Sequence, residues 1–178
     1  MKNAIRLIAA GAVLAAGIPL SAQAQTISIS ATVASQCNLT NASVTFVALN
    51  LGVDNTSIGQ TFALTCNRGA TPFVSVSDGN NGTGGQKRLR LLATTDYINY
   101  NIRVPTITGS GAGATVACPT LATGAEWNAT TNRLDATNLF TAAGGPRNIP
   151  VCVLIPAPSF DLPAGNFTDS VTVSVAFS

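Results

Sequence analysis

Hydrophobic and polar residues alternate along several short stretches of the chain, and this period of two indicates half-buried strands. Residues 26–35 place Ile27, Ile29, Ala31 and Val33 on one face. Beyond the first 24 residues, no stretch sustains the 3.6-residue period of a helix. The pattern therefore predicts an all-β fold.

Further strand candidates fill the interior of the sequence. They are rich in Val, Ile, Thr and Phe and are separated by Gly, Asn, Asp and Pro. They cover residues 44–51, 60–66, 73–77, 87–92, 97–104 and 148–155. Pro150 places the start of the last one at a sheet edge, because proline cannot donate to the strand ladder. Many short strands at this spacing predict one domain with an antiparallel β-sandwich.

The clearest alternation closes the sequence, where Val171, Val173, Val175 and Phe177 are separated by smaller or polar residues. Such a strand is expected to have a neighbour on both sides, and no later stretch supplies one. In the simpler interpretation, residues 27–33 pair with it within one chain. In the alternative, the fold lacks a strand and the N-terminal segment completes a neighbouring copy, because an open apolar edge otherwise promotes aggregation.

The first 24 residues are predicted to be a secretory signal peptide rather than part of the fold. Lys2 and Arg6 precede a mostly apolar run over residues 7–20, and an A-x-A cleavage pattern ends at Ala24. The following residue is Gln25 and not cysteine, which argues against a lipid anchor. No later apolar run is long enough to cross a bilayer. We therefore expect an exported protein without membrane insertion.

Charge argues against nucleic acid as a partner. Removing Lys2 and Arg6 from the nine basic residues leaves seven, which equals the number of acidic residues. A neutral chain has no general attraction for nucleic acid or anionic membranes. The only charge cluster, residues 87–90 (KRLR), either binds an acidic partner or lies along an exposed strand. We favour the exposed strand, where basic residues discourage unwanted edge pairing.

Candidate catalytic chemistry is sparse. The sequence has no histidine, so the commonest general base and the usual serine triad are missing. The seven acidic residues are scattered and are interpreted as turn-capping, solubilising groups rather than a glycosidase pair. A sugar-binding platform of Tyr97, Tyr100 and Trp127 is less favoured than core or interface roles for these aromatics. We expect neither an enzyme nor a bound cofactor.

The four cysteines are Cys37, Cys66, Cys118 and Cys152. An even number in an exported chain predicts two disulfides, and the sequence alone allows three connectivities. We favour Cys37–Cys66 and Cys118–Cys152, which close loops of about 30 residues and stabilise by roughly 3–4 kcal/mol each. A zinc site is disfavoured because the chain has no histidine and no C-x-x-C pair.

Residues 167–175, FTDSVTVSV, resemble the closing motif of spore coat protein U domains, the pilin subunits of archaic chaperone–usher fimbriae. Phe177 is the penultimate residue and Gly165 is fourteenth from the end, as in the strand that a pilus chaperone grips in such pilins. Cys37 and Cys66 resemble the family's disulfide. Residues 97–102, YINYNI, resemble its central strand.

The resemblance implies an immunoglobulin-like antiparallel β-sandwich that lacks its final strand and is completed by donor-strand complementation. A periplasmic chaperone fills the groove first. At the outer-membrane usher, the N-terminal extension of another copy or of a related pilin replaces it, by strand addition. The implied donor residues are Ile27, Ile29, Ala31 and Val33. The implied groove strand contains Gly165, Val171, Val173, Val175 and Phe177.

Three segments are thus expected: a signal peptide (1–24), an N-terminal extension or first strand that is a possible donor (25–36), and a pilin-like β-sandwich (37–178). The boundary between donor and first strand stays open. The implied function is a structural subunit of a cell-surface pilus that supports adhesion and biofilm formation. The alternative is a self-contained exported coat or ligand-binding domain with a ligand surface near Trp127.

Overall fold

The structure is a computed structural model that describes residues 28–40, 42, 44, 48–92 and 94–178. Within these residues a 3-10 turn (Gly111–Gly113) and the four-residue helix α1 (Thr137–Phe140) accompany thirteen strands. The strands are β1 (Cys37–Leu39), β2 (Asn55–Ser57), β3 (Thr61–Cys66), β4 (Pro72–Val76), β5 (Lys87–Leu91), β6 (Tyr97–Arg103), β7 (Thr106–Thr108), β8 (Thr115–Ala117), β9 (Leu134–Asp135), β10 (Gly145–Pro150), β11 (Cys152–Ile155), β12 (Phe167–Thr168) and β13 (Val173–Phe177). The all-β prediction is confirmed.

Every strand pair is antiparallel. In the described part of the chain the sheets have the orders β1-β3-β10, β12-β5-β6-β11-β2, β13-β4-β9 and β7-β8. β6 alternates between buried and outward-facing residues along its whole length, as its sequence predicts. None of the helices in the described ranges is long and apolar enough to cross a membrane.

The predicted strand at residues 148–155 is two strands that belong to different sheets. β10 pairs with β3 at the edge of one sheet, whereas β11 lies between β6 and β2 in another. The change occurs at Val151, whose amide donates to the carbonyl of Gln60 at 2.8 Å. The edge position expected from Pro150 is confirmed, because Pro150 ends the edge strand β10.

One apolar core lies between the strands. Phe62 and Leu64 of β3 and Val74 of β4 are buried in the same cluster as Trp127. The rings of Phe62 and Trp127 are 6.3 Å apart, and the Trp127 indole donates a 2.9 Å hydrogen bond to the Val74 carbonyl. A buried indole needs such a partner. Trp127 is therefore a central core residue that connects β3 with β4.

The aromatic platform considered from the sequence does not form. Trp127 is only 1% exposed and Tyr100 only 6%, whereas Tyr97 is half-buried on the outward face of β6. Trp127 and Tyr100 are buried rather than displayed at the surface because the apolar area of their rings stabilises the core. Trp127 itself is therefore not available to a ligand at the surface.

Both favoured disulfides are present. Cys37 and Cys66 are directly opposite each other in the β1–β3 pair and are bonded to each other. Cys118, which follows β8, is bonded to the fully buried Cys152 of β11. The first bond braces an edge strand of only three residues, and the second attaches a long connection to a central strand.

The strand predicted at residues 44–51 is not found in the part of that range that the structure describes. Residue 44 and residues 48–51 form no strand, and β2 occurs later, at Asn55. The Asn55 side chain explains the shift, because it accepts from the amide of Asn50 and donates to the carbonyls of Asn50 and Val53. These bonds hold residues 50–53 in a turn.

The N-terminal stretch has no strand in its described part, residues 28–35. Residues 28–33 do not belong to the compact unit Ala34–Ser178, and all of their side chains are exposed. The predicted signal peptide and Ile27 lie outside the described residues.

Candidate strand-acceptor site

The closing strand β13 pairs with β4. The register places Val173 opposite Val76 and Val175 opposite Val74. The backbone contact continues before the strand, where the amide of Ser77 donates to the carbonyl of Thr172 at 2.9 Å. In the order β13-β4-β9, β13 is an edge strand. Its outer edge therefore has no strand partner within the described residues.

The side chains of β13 and of the two residues before it alternate as the sequence predicts. Val171, Val173 and Val175 are half-buried and pack against the core, whereas Ser174 and Ala176 are exposed. Phe177 remains 44% exposed at the end of the strand. An apolar row that is only half covered at a free sheet edge offers main-chain groups and side-chain pockets to an added strand.

A second edge strand flanks the same core. β1 ends the order β1-β3-β10, and its Leu39 is half-buried against the core cluster to which Val173 and Val175 also belong. After Leu39 the pairing extends to Thr40, whose amide donates to the carbonyl of Ala63 at 3.0 Å. Two sheet edges, β1 and β13, thus border one hydrophobic core.

Asp169 fixes the connection that leads into β13. Its carboxylate accepts hydrogen bonds from the Tyr100 hydroxyl (2.7 Å), the Asn81 amide (3.0 Å) and the Asn81 side chain (3.1 Å). Burial, followed by the hydrogen bond to Asp169, raises the pKa of the Tyr100 hydroxyl far above its ordinary value.

Gly79 has a φ of 88°, and a Cβ there would overlap the Asp169 carboxylate. The turn at Gly79 therefore needs glycine for both its conformation and its space.

Gly165 is not part of the edge strand. It precedes β12, which pairs with β5 in the five-stranded sheet, and a Cβ on Gly165 would collide with the Leu91 side chain of β5. The proposed groove residues are therefore divided. Val173, Val175 and Phe177 lie on β13, whereas Gly165 acts at the packing of a different sheet.

The candidate donor residues that the structure describes are exposed to solvent. Ile29 is 92% exposed and Val33 82%, and Ala31 is also exposed. Single exposed apolar side chains are ordinary, but three at alternate positions in an unpaired segment need a reason.

Asn67 marks where the chain becomes part of the sandwich. Its side-chain oxygen accepts from the Gln36 amide at 2.9 Å, and its side-chain nitrogen donates to the Ala34 carbonyl at 3.1 Å. Its own amide donates to the Gln36 carbonyl at 3.1 Å. Sequence reasoning missed this residue, and the only signal was an asparagine directly after the cysteine that ends β3.

The basic stretch at residues 87–90 differs from the exposed strand expected for it. Lys87 is fully buried, and its ammonium group donates to Glu126 at 3.0 Å and to the Trp127 carbonyl at 2.7 Å. Glu126 also pairs with Arg103 at 3.3 Å. Lys87 is buried because it shares a strand face with apolar residues and finds a carboxylate there. Glu126 is thus an internal counter-ion rather than a turn cap.

No group of three potential metal ligands occurs in the ranges that the structure describes. The site consists of strand edges, apolar rows and fastening hydrogen bonds, which is the chemistry of a protein–protein interface.

These features define an immunoglobulin-like β-sandwich of the kind that pilus subunits have. The chain matches the Spore Coat Protein U domain over residues 23–174 and belongs to that family. The family resemblance expected from the closing motif is confirmed. Such domains are structural subunits and not enzymes, which agrees with the prediction from the sequence.

The fold is similar to a chain of the crystal structure of the CsuC–CsuE chaperone–tip adhesion subunit pre-assembly complex, from the archaic chaperone–usher Csu pili of Acinetobacter baumannii. The TM-score is 0.52 and the sequence identity is 19%. The match covers 82% of the present chain but only 41% of that one, so this chain spans less than half of its length. The search of curated proteins found no significant match.

Proposed function

We propose that this protein is a structural subunit of a chaperone–usher pilus, exported through the periplasm and polymerised on the cell surface by donor-strand exchange. The observation that carries the proposal is the open edge of β13 with its row of half-buried valines. Membership in the Spore Coat Protein U family and the fold likeness to a pilus subunit complex support it. In this proposal the sandwich is incomplete until a strand is added.

The donor in this proposal is the N-terminal segment up to Val33. Ile27, Ile29, Ala31 and Val33 alternate along it, so that one face fits the pockets of an acceptor edge. Full burial of each isoleucine contributes about 1.5–3 kcal/mol. The Asn67 contacts to Ala34 and Gln36 support a boundary between donor and sandwich at Ala34.

The partners follow from the same chemistry. A periplasmic chaperone supplies the first strand to β13, and an outer-membrane usher is where another copy or a related pilin replaces it. A fibre of such subunits on the cell surface supports adhesion and biofilm formation. No bound cofactor takes part in this assembly.

A strand-supply experiment tests the proposal. Residues 25–35 are appended after Ser178 through a flexible Gly/Ser linker, in a chain that lacks its own N-terminal copy. We expect a soluble monomer with a melting temperature well above that of the chain without the appended segment. The matched control appends the same segment with Ile27→Asn and Ile29→Asn, which keeps the main chain but not the apolar row. Equal melting temperatures for both versions contradict the donor role.

A second experiment separates the two partners. Deletion of residues 25–31 should leave the one-to-one chaperone complex intact on size-exclusion chromatography but abolish polymers. Val175→Asn on the inner face of β13 should reduce both chaperone binding and polymerisation. The exposed-face control Ala176→Asn should reduce neither of them. A stable wild-type monomer that neither binds a chaperone nor polymerises rejects the proposal.

A further inference from the structure

A cleft of about 320 Å³ lies over the outward face of β6. Tyr97, Asn99 and Asn101 alternate along this face, and the segment Pro156–Pro158 with Leu162 forms the opposite side. None of the residues that line the cleft belongs to β13. The cleft is thus separate from the acceptor edge.

The cleft contains polar groups without partners in the protein. Asn99 is exposed and Tyr97 and Asn101 are half-buried, and their side-chain polar groups make no hydrogen bond to any residue in the described ranges, which leaves them to solvent or to a ligand. The Gln86 side chain donates to the carbonyls of Lys87 and Tyr100 at 3.0 and 2.9 Å, which fixes its position. Its oxygen remains available as an acceptor.

The walls of the cleft are held rigidly. The amide of Ala157 donates to the Asp54 carboxylate at 2.9 Å, and the Pro158 carbonyl accepts from the Gly52 amide at 2.8 Å. The two prolines fix their own backbone angles. The Tyr97 ring is held by the Arg88 guanidinium, 4.2 Å from its centroid. A ligand therefore orders little of the protein when it binds, which favours affinity.

We propose that this cleft binds a neutral saccharide. The lining residues carry no charge, and the adjoining Arg88 guanidinium is engaged by the Tyr97 ring and the Asn81 carbonyl, so the cleft is not built for an ionised ligand. Asparagine side chains both donate and accept, and two of them at alternate strand positions, about 6.6 Å apart along β6, are spaced for hydroxyls on opposite sides of a sugar ring. The face of the Tyr97 ring that Arg88 does not cover, together with the proline and leucine side chains, provides apolar surface for the C–H face of a sugar ring. The cleft is partly open to solvent, and its volume of about 320 Å³ has room for a mono- or disaccharide held at the surface.

The test uses the full chain as it assembles, either in its chaperone complex or as a polymer. Glucose, galactose, mannose, N-acetylglucosamine and their common disaccharides are titrated and followed by saturation-transfer NMR. We expect binding of at least one of these neutral sugars. The variant Asn99→Ala/Asn101→Ala should weaken it at least about tenfold, because each lost hydrogen bond removes part of the affinity.

The controls keep the proposal falsifiable. Asn138→Ala removes another exposed amide, on α1, and should leave affinity unchanged. Tyr97→Phe tests the hydroxyl alone. The double variant should polymerise normally, so failure of sugar binding and failure of the pilus proposal remain distinguishable. The proposal is overturned if no neutral sugar binds, if glucuronic acid or a proline-rich peptide binds instead, or if the double variant binds as the wild type does.

Discussion

The hydroxyl of Tyr100 donates a 2.7 Å hydrogen bond to the carboxylate of Asp169. Tyr100 lies in the middle of β6, and Asp169 directly follows β12 on the way to β13. The contact therefore ties the five-stranded sheet to the chain that becomes the edge strand of another sheet. The position of the acceptor edge depends on a polar contact as well as on strand pairing.

Asp169→Ala is expected to destabilise the domain by about 1.5–3 kcal/mol, because hydrogen bonds to a charged acceptor contribute that much. For a chain of this size this corresponds to a fall in melting temperature of about 3–12 °C. Thermal denaturation followed by circular dichroism measures it. Asp161→Ala, which removes an exposed carboxylate in the loop before β12, is the matched control and should shift the midpoint little. Equal shifts would show that the Asp169 contacts do not stabilise the fold.

The buried hydroxyl of Tyr100 should make the folded protein lose stability at alkaline pH. Burial and the Asp169 hydrogen bond raise the pKa of its hydroxyl in the folded state above the unfolded value of 10.0. The unfolded state therefore releases its proton first, and the contribution of Tyr100 is complete below about pH 10 and declines as the pH rises beyond it. Melting temperatures between pH 8 and 11 should fall more steeply for the wild type than for Tyr100→Phe. Parallel slopes would contradict this account.

The ion pair between the buried Lys87 and the half-buried Glu126 predicts an asymmetric double-mutant cycle. Glu126→Ala leaves the fully buried ammonium of Lys87 without its carboxylate, which should cost about 3–5 kcal/mol. The double variant Lys87→Met/Glu126→Ala removes the charge as well and should be more stable than Glu126→Ala alone. Urea denaturation measures both. If the double variant is less stable than Glu126→Ala, the unpaired charge of Lys87 is not the reason for the destabilisation.

Asn67→Ala should release the segment that precedes β1. The side chain holds Gln36 and Ala34 by two hydrogen bonds, and their loss should cost roughly 1–3 kcal/mol locally. Hydrogen exchange at the Gln36 amide should become faster, with little change at amides of β6. Asn128→Ala, which removes an asparagine that fastens its own loop, is the control for a general effect of losing an amide. Unchanged exchange at Gln36 would contradict the role given to Asn67.

The alternation of apolar residues was sufficient to locate the central strands. The predicted ranges 60–66, 73–77 and 97–104 correspond to β3, β4 and β6 within one residue at each end. Each of these strands is long and packs one face on the core, so its period of two is complete. The final strand and the presence of two disulfides were also predictable, because alternation and cysteine number are local or compositional signals. The favoured connectivity was one of the three that the sequence allows, and the structure selects it.

Pairing between distant residues explains what the sequence did not reveal. β2 is three polar residues at a sheet edge, and nothing in its own pattern marks it as a strand. The apolar run up to Ile155 does not show that the chain changes sheets at Val151. The burial of Lys87 depends on Glu126, 39 residues later. The available signal was that Lys87 and Leu89 share one strand face. The prediction instead followed the general preference of lysine for solvent.

The bond between Cys37 and Cys66 gives the domain a particular response to pulling. The two residues are also opposite each other at the start of β1 and the end of β3. Tension on the chain ahead of Cys37 therefore passes into the six-residue β3 through a covalent link. The hydrogen bonds of the three-residue β1 do not have to carry that load. The N-terminal side of the sandwich is thus a mechanical anchor that cannot be peeled away while the disulfide is intact.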